Sequence, residues 1–296
     1  MESLSEALSA RWLIHRSEVI NYLPILLSFL NGNSIAASSI IGNPGLCSAY
    51  SKSAQGFIVA SSDLNSPDIA ENSIAVIPIQ GMMMSSRTRQ LMDNIAYAVE
   101  NPQFSSILFM VNTPGGMVFL TDIAANTIKN CPLPTVAYIQ NMAASAGMWL
   151  ASAASVRVAS SPIDLVGSIG VKTSFTDLNG FLKDKLNITV YDLYATKATR
   201  KDEEVRALLS DPSDSKPFTD YLDHVNEIFH SAIQSNLGID PKSEVFTGAI
   251  YNAVQAKSLG LIDSIGSLDF AIETAYQLGI KSQIKSISTH LNSKHK

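Results

Sequence analysis

The chain predicts an α/β fold built on a mainly parallel sheet, and three observations carry that reading. From Asn72 onward, strand-like apolar runs alternate with amphipathic helical stretches, the order that crossover helices impose on parallel strands. One of those runs, Ser105-Ser-Ile-Leu-Phe-Met-Val-Asn112, is apolar on successive residues, as a strand covered on both faces must be. The last third then turns mostly helical.

Taken in order, the first 70 residues read as an N-terminal helical extension and linker. Leu4, Leu8, Trp12, Ile14 and Val19 give an imperfect helical stripe up to about Leu30, and a Ser-, Ala-, Gly- and Asn-rich stretch follows to about Asp68. The core domain is expected over 71–280. It opens with a strand, Ser73 to Gln80, then a helix over Thr88 to Glu100 with Leu91, Ile95, Ala98 and Val99 on one face. The strand at 105–112 empties into Thr113-Pro-Gly-Gly116. A helix (Phe119 to Lys129), a strand (Pro134 to Gln140) and a helix opening at Ser145 come next. Short apolar segments at 156–159 and 165–171, a helix near Leu178 to Leu186 and a strand Ile188 to Leu193 complete the alternation. Helices are expected over 218–237, 253–259 and 269–278, and the polar, lysine-bearing tail 281–296 is expected to fray.

Composition removes several function classes. The net charge of -5 offers no general attraction to nucleic acid. Two cysteines, Cys47 and Cys131, are too few for a disulfide framework and lack metal-ligand spacing, so a reducing cytosolic setting is expected. The longest apolar run, Val19 to Leu30, is shorter than the roughly 20 residues of a spanning helix and contains Asn21 and Pro24. There is no GxGxxG, Walker A, HExxH or CxxC pattern, so no cofactor and no metal are expected. Charged residues make up only 16%, against roughly 25% in ordinary soluble proteins, which suits self-association and predicts a homo-oligomer.

The chemistry gathers around Asn141-Met-Ala-Ala-Ser145-Ala-Gly-Met-Trp149, where a serine sits between a β run and a helical run. That is where a hydroxyl would be exposed on a strand-to-helix turn, so Ser145 is the candidate nucleophile. Serine needs a base and oxyanion donors. The Pro114-Gly115-Gly116 turn and the N–H of Ala146 are the candidate donors. None of the five histidines has an orienting motif: His15 lies in the extension, His224 and His230 on a helix, His290 and His295 in the tail. Lysine is the other option, provided burial lowers its pKa from about 10.4. The segment Ala195-Thr-Lys197-Ala-Thr-Arg200-Lys201-Asp202 offers two, on what composition alone reads as a solvated basic loop. Met117, Met148 and Trp149 are read as core.

Four strings in order, Asn112-Thr-Pro-Gly-Gly116, Ala144-Ser-Ala-Gly-Met-Trp-Leu-Ala-Ser-Ala-Ala154, Val166-Gly-Ser-Ile-Gly-Val171 and Thr247-Gly through Ala256-Lys-Ser-Leu-Gly-Leu-Ile-Asp-Ser-Ile-Gly266, resemble the signal peptide peptidase A (protease IV) family over about residues 72–279. The resemblance implies a ClpP/crotonase-like spiral of ββα units, ring assembly and a Ser-Lys dyad. By motif, Ser145 resembles the nucleophile, Gly115, Gly116 and Ala146 the oxyanion region, and Ser168 a residue that hydrogen-bonds the lysine. The family's lysine lies well downstream of the serine, often followed by Ser or Asp, which matches Lys201; Lys197 is the rival, because the usual Gly-x-Tyr-Lys context reads Ala-Thr-Arg-Lys here. Ser-Ala-Gly in place of Ser-Gly-Gly looks like the phage capsid-assembly (prohead) protease branch.

The expected function is therefore a serine endopeptidase that processes phage or prophage capsid or scaffold proteins, in a bacterial host cytoplasm or virion precursor. A peptidase degrading leftover signal peptides, a catalytically silent ring protein and a crotonase-like acyl-CoA enzyme are the alternatives. A protein or peptide substrate and a homo-oligomeric ring are the expected partners, without nucleic acid or a membrane span.

Overall fold

A computed structural model of the chain describes residues 12–14, 47–54, 56–64, 66–67, 69–174, 177, 179–187, 189, 191–211 and 213–294. In chain order the elements are β1 (Trp12–Ile14), β2 (Ser48–Ser53), β3 (Gly56–Ser61), β4 (Ser73–Gln80), α1 (Ser85–Glu100), β5 (Phe104–Thr113), β6 (Gly115–Met117) and α2 (Thr121–Lys129). Then come β7 (Thr135–Ala144), α3 (Ala146–Ser152), β8 (Val156–Ala159), β9 (Leu165–Gly167), α4 (Asn179–Leu186), α5 (Glu203–Ser210) and α6 (Lys216–Leu237). A 3-10 turn (Glu244–Thr247), β10 (Ile250–Asn252), α7 (Ala253–Ser258), β11 (Ser264–Ile265) and α8 (Leu268–Lys294) close the chain.

Nine strands form one sheet in the order β10-β9-β7-β5-β4-β2-β3, with β8 beside β7 and β11 beside β8. Its centre is parallel, β4 with β5, β5 with β7, and β7 with both β8 and β9. The period-2 alternation of β4 sends Ala75, Ile77 and Ile79 into one core and Ile74 and Val76 into another. The first core lies under α1, α2, α3 and α6; the second is closed by Ala271, Ile272 and Ala275 of α8. Pro78 is tolerated in β4 because the neighbouring β2 pairs only with Ile74 to Val76, leaving the position of the missing N–H beyond the ladder. In α1 the buried Thr88, Leu91, Ile95 and Ala98 follow the helical stripe that the sequence predicts.

Four expectations are corrected. Residues 48–61, read as linker, are the antiparallel hairpin β2–β3, and β2 extends the main sheet at β4. Ala49 and Ser51 face inward there, and Ser51 and Ser73 share a hydroxyl hydrogen bond of 2.7 Å. Of the helix expected over the first 30 residues, only 12–14 are described; they form strand β1, and the remainder lies outside the described residues. The strand expected at 188–193 is absent from its described residues, where Tyr191 and Leu193 are 80% and 93% exposed. An extended segment is a strand only where an edge offers partners, and none does so here among the described residues. The tail expected to fray is helical as far as Lys294, since no proline or glycine follows Gly279 to end α8.

Candidate active site

Strand β7 changes partner halfway along its length. Val136 to Ile139 pair with β8, whereas Met142 to Ala144 pair with β9. The switch falls at Asn141, whose φ is 65°. Buried Asp164 fixes it, accepting hydrogen bonds from the Asn141 N–H (3.0 Å), the Ser161 N–H (2.9 Å) and the Ser160 hydroxyl (2.8 Å). A carboxylate bonded by three donors holds that backbone rigid, so Met142 to Ala144 leave the switch in one direction, toward Ser145.

Ser145 occupies the turn between β7 and α3 at φ 56° and ψ -118°. A non-glycine residue in that region costs about 1–3 kcal/mol and persists only where its surroundings over-determine it. They do so here: the Ser145 N–H donates to the Gly167 carbonyl at 2.8 Å, and the Ser145 carbonyl accepts the Trp149 N–H at 3.0 Å. The N–H groups of Ala146 and its immediate followers precede that first helical bond. All seven residues of α3 are buried, with Trp149 stacked on Phe229 of α6 at 4.5 Å and 10° between planes. Ser145 itself is 1% exposed, and no side chain hydrogen-bonds its hydroxyl among the described residues.

The glycine turn lies against this elbow. The Thr113 hydroxyl donates to the Gly81 carbonyl at 2.6 Å and accepts the Gly115 N–H at 3.1 Å. A Cβ at Gly147 would meet the Thr113 methyl at 2.4 Å, so glycine is what lets α3 approach β5. Gly116 is tighter still: a Cβ there would lie 2.1 Å from the Met83 carbonyl oxygen. Met83 bridges β6 by donating its N–H to Gly115 O (2.8 Å) and accepting the Met117 N–H (2.7 Å). Met117, Met148 and Trp149 are core, as the sequence predicts.

Ser168 follows the residue that binds the Ser145 N–H. It is half-buried at φ 52°, with its own N–H on the Ala249 carbonyl at 2.7 Å. A cavity of about 340 Å³ opens beside it, lined among others by Lys172, Asp223, Asn226 and Phe246. Asn226 Oδ1 is buried there without a partner among the described residues. Lys172, Asn226, Met83 and Asp164 escaped the sequence reading; for Asp164 a signal existed, because Ser160-Ser161 ahead of an aspartate is turn chemistry.

Lys197 and Lys201 are not brought to Ser145 within this chain. Both are exposed, and neither ammonium makes a hydrogen bond or ion pair among the described residues. Their loop folds toward the N-terminal ends of α5 and α6, with Arg200 on Glu203 at 2.8 Å and Arg206 donating to the Thr199 carbonyl at 2.6 Å. His224 is exposed, and His230 packs 4.8 Å from the Phe246 ring, where burial pushes its pKa down. His290 rides on α8, and His15 and His295 lie outside the described residues. Among the described residues no cluster of His, Cys, Asp or Glu is arranged to hold a metal ion, and no helix is long and apolar enough to cross a membrane.

Residues 128–280, just over half of the chain, match peptidase family S49. The chain is 30% identical over 198 residues to the chloroplastic serine protease SPPA of Arabidopsis thaliana, covering 64% of this chain and 28% of that protein. It is 27% identical over 209 residues to capsid assembly protease C of Escherichia phage lambda, covering 66% of this chain and 46% of that one. The chain thus spans between about a quarter and about half the length of these two relatives. Among solved structures it is similar, at 18% identity and a TM-score of 0.44, to a membrane-bound stomatin-specific protease in complex with a substrate peptide, covering 67% of this chain and 76% of the other.

Proposed function

Because the chain belongs to peptidase family S49, we propose that it is a serine endopeptidase in which Ser145 attacks the substrate carbonyl and Lys201 takes the serine proton. The observation that carries this reading is Ser145 itself, a nearly buried residue whose hydroxyl is hydrogen-bonded by no described side chain, on a strained turn beside Gly115 and Gly116. An inert structural serine would satisfy its hydroxyl and avoid positive φ.

The chemistry runs in two halves. Ser145 Oγ bonds to the peptide carbonyl carbon as its proton passes to the neutral lysine amine, and the N–H groups of Gly116 and Ala146, with Gly115 shaping the turn, receive the oxyanion. The C–N bond then breaks, and the lysine returns the proton to the departing amine. Water, losing its proton to the same lysine, bonds to the acyl carbon; the C–Oγ bond breaks, and the lysine returns the proton to Ser145 Oγ. Ser168 is proposed to hydrogen-bond the lysine, a role supported by the Ser145 N–H bond to the neighbouring Gly167.

A base on an exposed loop works only after desolvation. We therefore take the 187–215 segment to be buried in a homo-oligomeric ring, which the exposed Tyr191 and Leu193 support, with Lys201, or its rival Lys197, meeting the Ser145 of a second copy. The proposed substrate is a phage head or scaffold protein, supported by the match to capsid assembly protease C. Reaction with a fluorophosphonate, followed by mass spectrometry of the labelled peptide, tests the central claim. Labelling at Ser145 that is absent from Ser145→Ala supports it; no labelling in a folded, assembled sample overturns it.

A further inference from the structure

The free edge of β6 already carries a strand. Met83 takes the Gly115 carbonyl and the Met117 N–H, so the pleat turns the N–H and C=O of Gly116 to the opposite side. On that side lies β1, antiparallel, in a two-stranded sheet with β6. Trp12 stands opposite Met117, Leu13 opposite Gly116 and Ile14 opposite Gly115. Leu13 is therefore the residue whose backbone exchanges hydrogen bonds with Gly116, and its carbonyl meets the N–H that the proposed mechanism assigns to the scissile carbonyl.

We infer that residues 12–14 are an internal pseudosubstrate: the chain's own segment lies along Gly115–Met117 where a substrate peptide would pair, with Leu13 in the place of the residue that supplies the scissile carbonyl. The role given to that edge rests on the peptidase reading; the occupancy itself does not. Strand addition draws its affinity from main-chain bonds, so a piece of this chain and a foreign peptide compete for one edge largely irrespective of side chain. A two-stranded pairing this short is marginal. The block is consequently reversible, and residues 12–14 leave the β6 edge before substrate enters.

Proline scanning of the full-length chain separates this arrangement from a chance contact. Leu13→Pro removes the one N–H of β1 that faces Gly116, whereas Ile14→Pro removes an N–H that points away from β6. Amide hydrogen exchange at Gly116 should accelerate about tenfold in Leu13→Pro and stay near wild type in Ile14→Pro. Fluorophosphonate labelling of Ser145 should rise in Leu13→Pro and fall again when a synthetic peptide of residues 8–18 is added. Equal exchange at Gly116 in the wild type and Leu13→Pro overturns the inference. If exchange responds as expected but Ser145 is labelled in no variant, the pseudosubstrate strand stands and the peptidase reading fails.

Discussion

The serine and lysine regions of this molecule are built in opposite ways. Around Ser145 the backbone is tied down on several sides: Asp164 pins the switch in β7, Gly167 and Trp149 fix the elbow, and Thr113 and Met83 hold the glycine turn against it. Around Lys197 and Lys201 the contacts are exposed ion pairs and local turns, and large apolar side chains face solvent. Exposed pairs contribute little to stability because solvent screens them, so that segment is free to take another position. The difference teaches that the proposed nucleophile and oxyanion donors are organised within one chain, whereas the proposed base would need an additional surface to be desolvated.

The sharpest test of that division is complementation. Ser145→Ala and Lys201→Ala should each lower peptide hydrolysis by about 10⁴-fold. Mixing the two inactive proteins should restore a measurable fraction if serine and lysine come from different copies; no recovery places the dyad in one chain. Activity retained in Lys201→Ala but lost in Lys197→Ala would move the base to the rival. Next in size is Gly116→Ala. A methyl group 2.1 Å from the Met83 carbonyl oxygen must displace β6, and losing an aligned oxyanion donor costs about 10²–10³ in kcat.

Asp164→Ala strikes the organised half from behind. It strips three donors of their acceptor and should cost about 2–3 kcal/mol in urea unfolding. Asp202→Ala in the lysine segment should cost less than about 1 kcal/mol, since its side chain caps no helix N–H. Equal losses would dissolve the contrast between the regions. The smallest effect is pH-linked. Burial lowers the pKa of His230, so the unfolded chain binds the extra proton first. Stability should be full above about pH 6.5, the ordinary histidine value, and decline as pH falls toward the lowered native value. His230→Gln should flatten that slope.

Periodicity made much of the fold legible: β4 and α1 carry clear patterns, and their apolar faces are where the pattern puts them. The Ser145 turn and the two glycines could be read for the same kind of reason, because a small-residue run between a strand and a helix restricts what can follow. What failed was anything decided by a distant partner. Hairpin β2–β3 hid in serine-rich composition, because its inward positions are filled by Ala49 and Ser51 rather than by large apolar residues. Trp12 lay on a helical stripe, yet its strand conformation is set by Gly116 and Met117, far along the chain. The turn chemistry at Ser160-Ser161 signals Asp164, yet its bond to Asn141, far back along the chain, is announced by no local spacing.

The dihedral angles of Ser145 also bear on how such a chain ages. Glycine at that position would shed the about 1–3 kcal/mol of backbone strain that serine bears, so Ser145→Gly should melt above both the wild type and Ser145→Ala. On the proposed mechanism, selection for the reaction is what holds serine there against a more stable alternative. Among copies left in genomes after the need for cleavage has lapsed, this codon should be among the first to drift, and a glycine in it would record abandonment more reliably than any change on the surface.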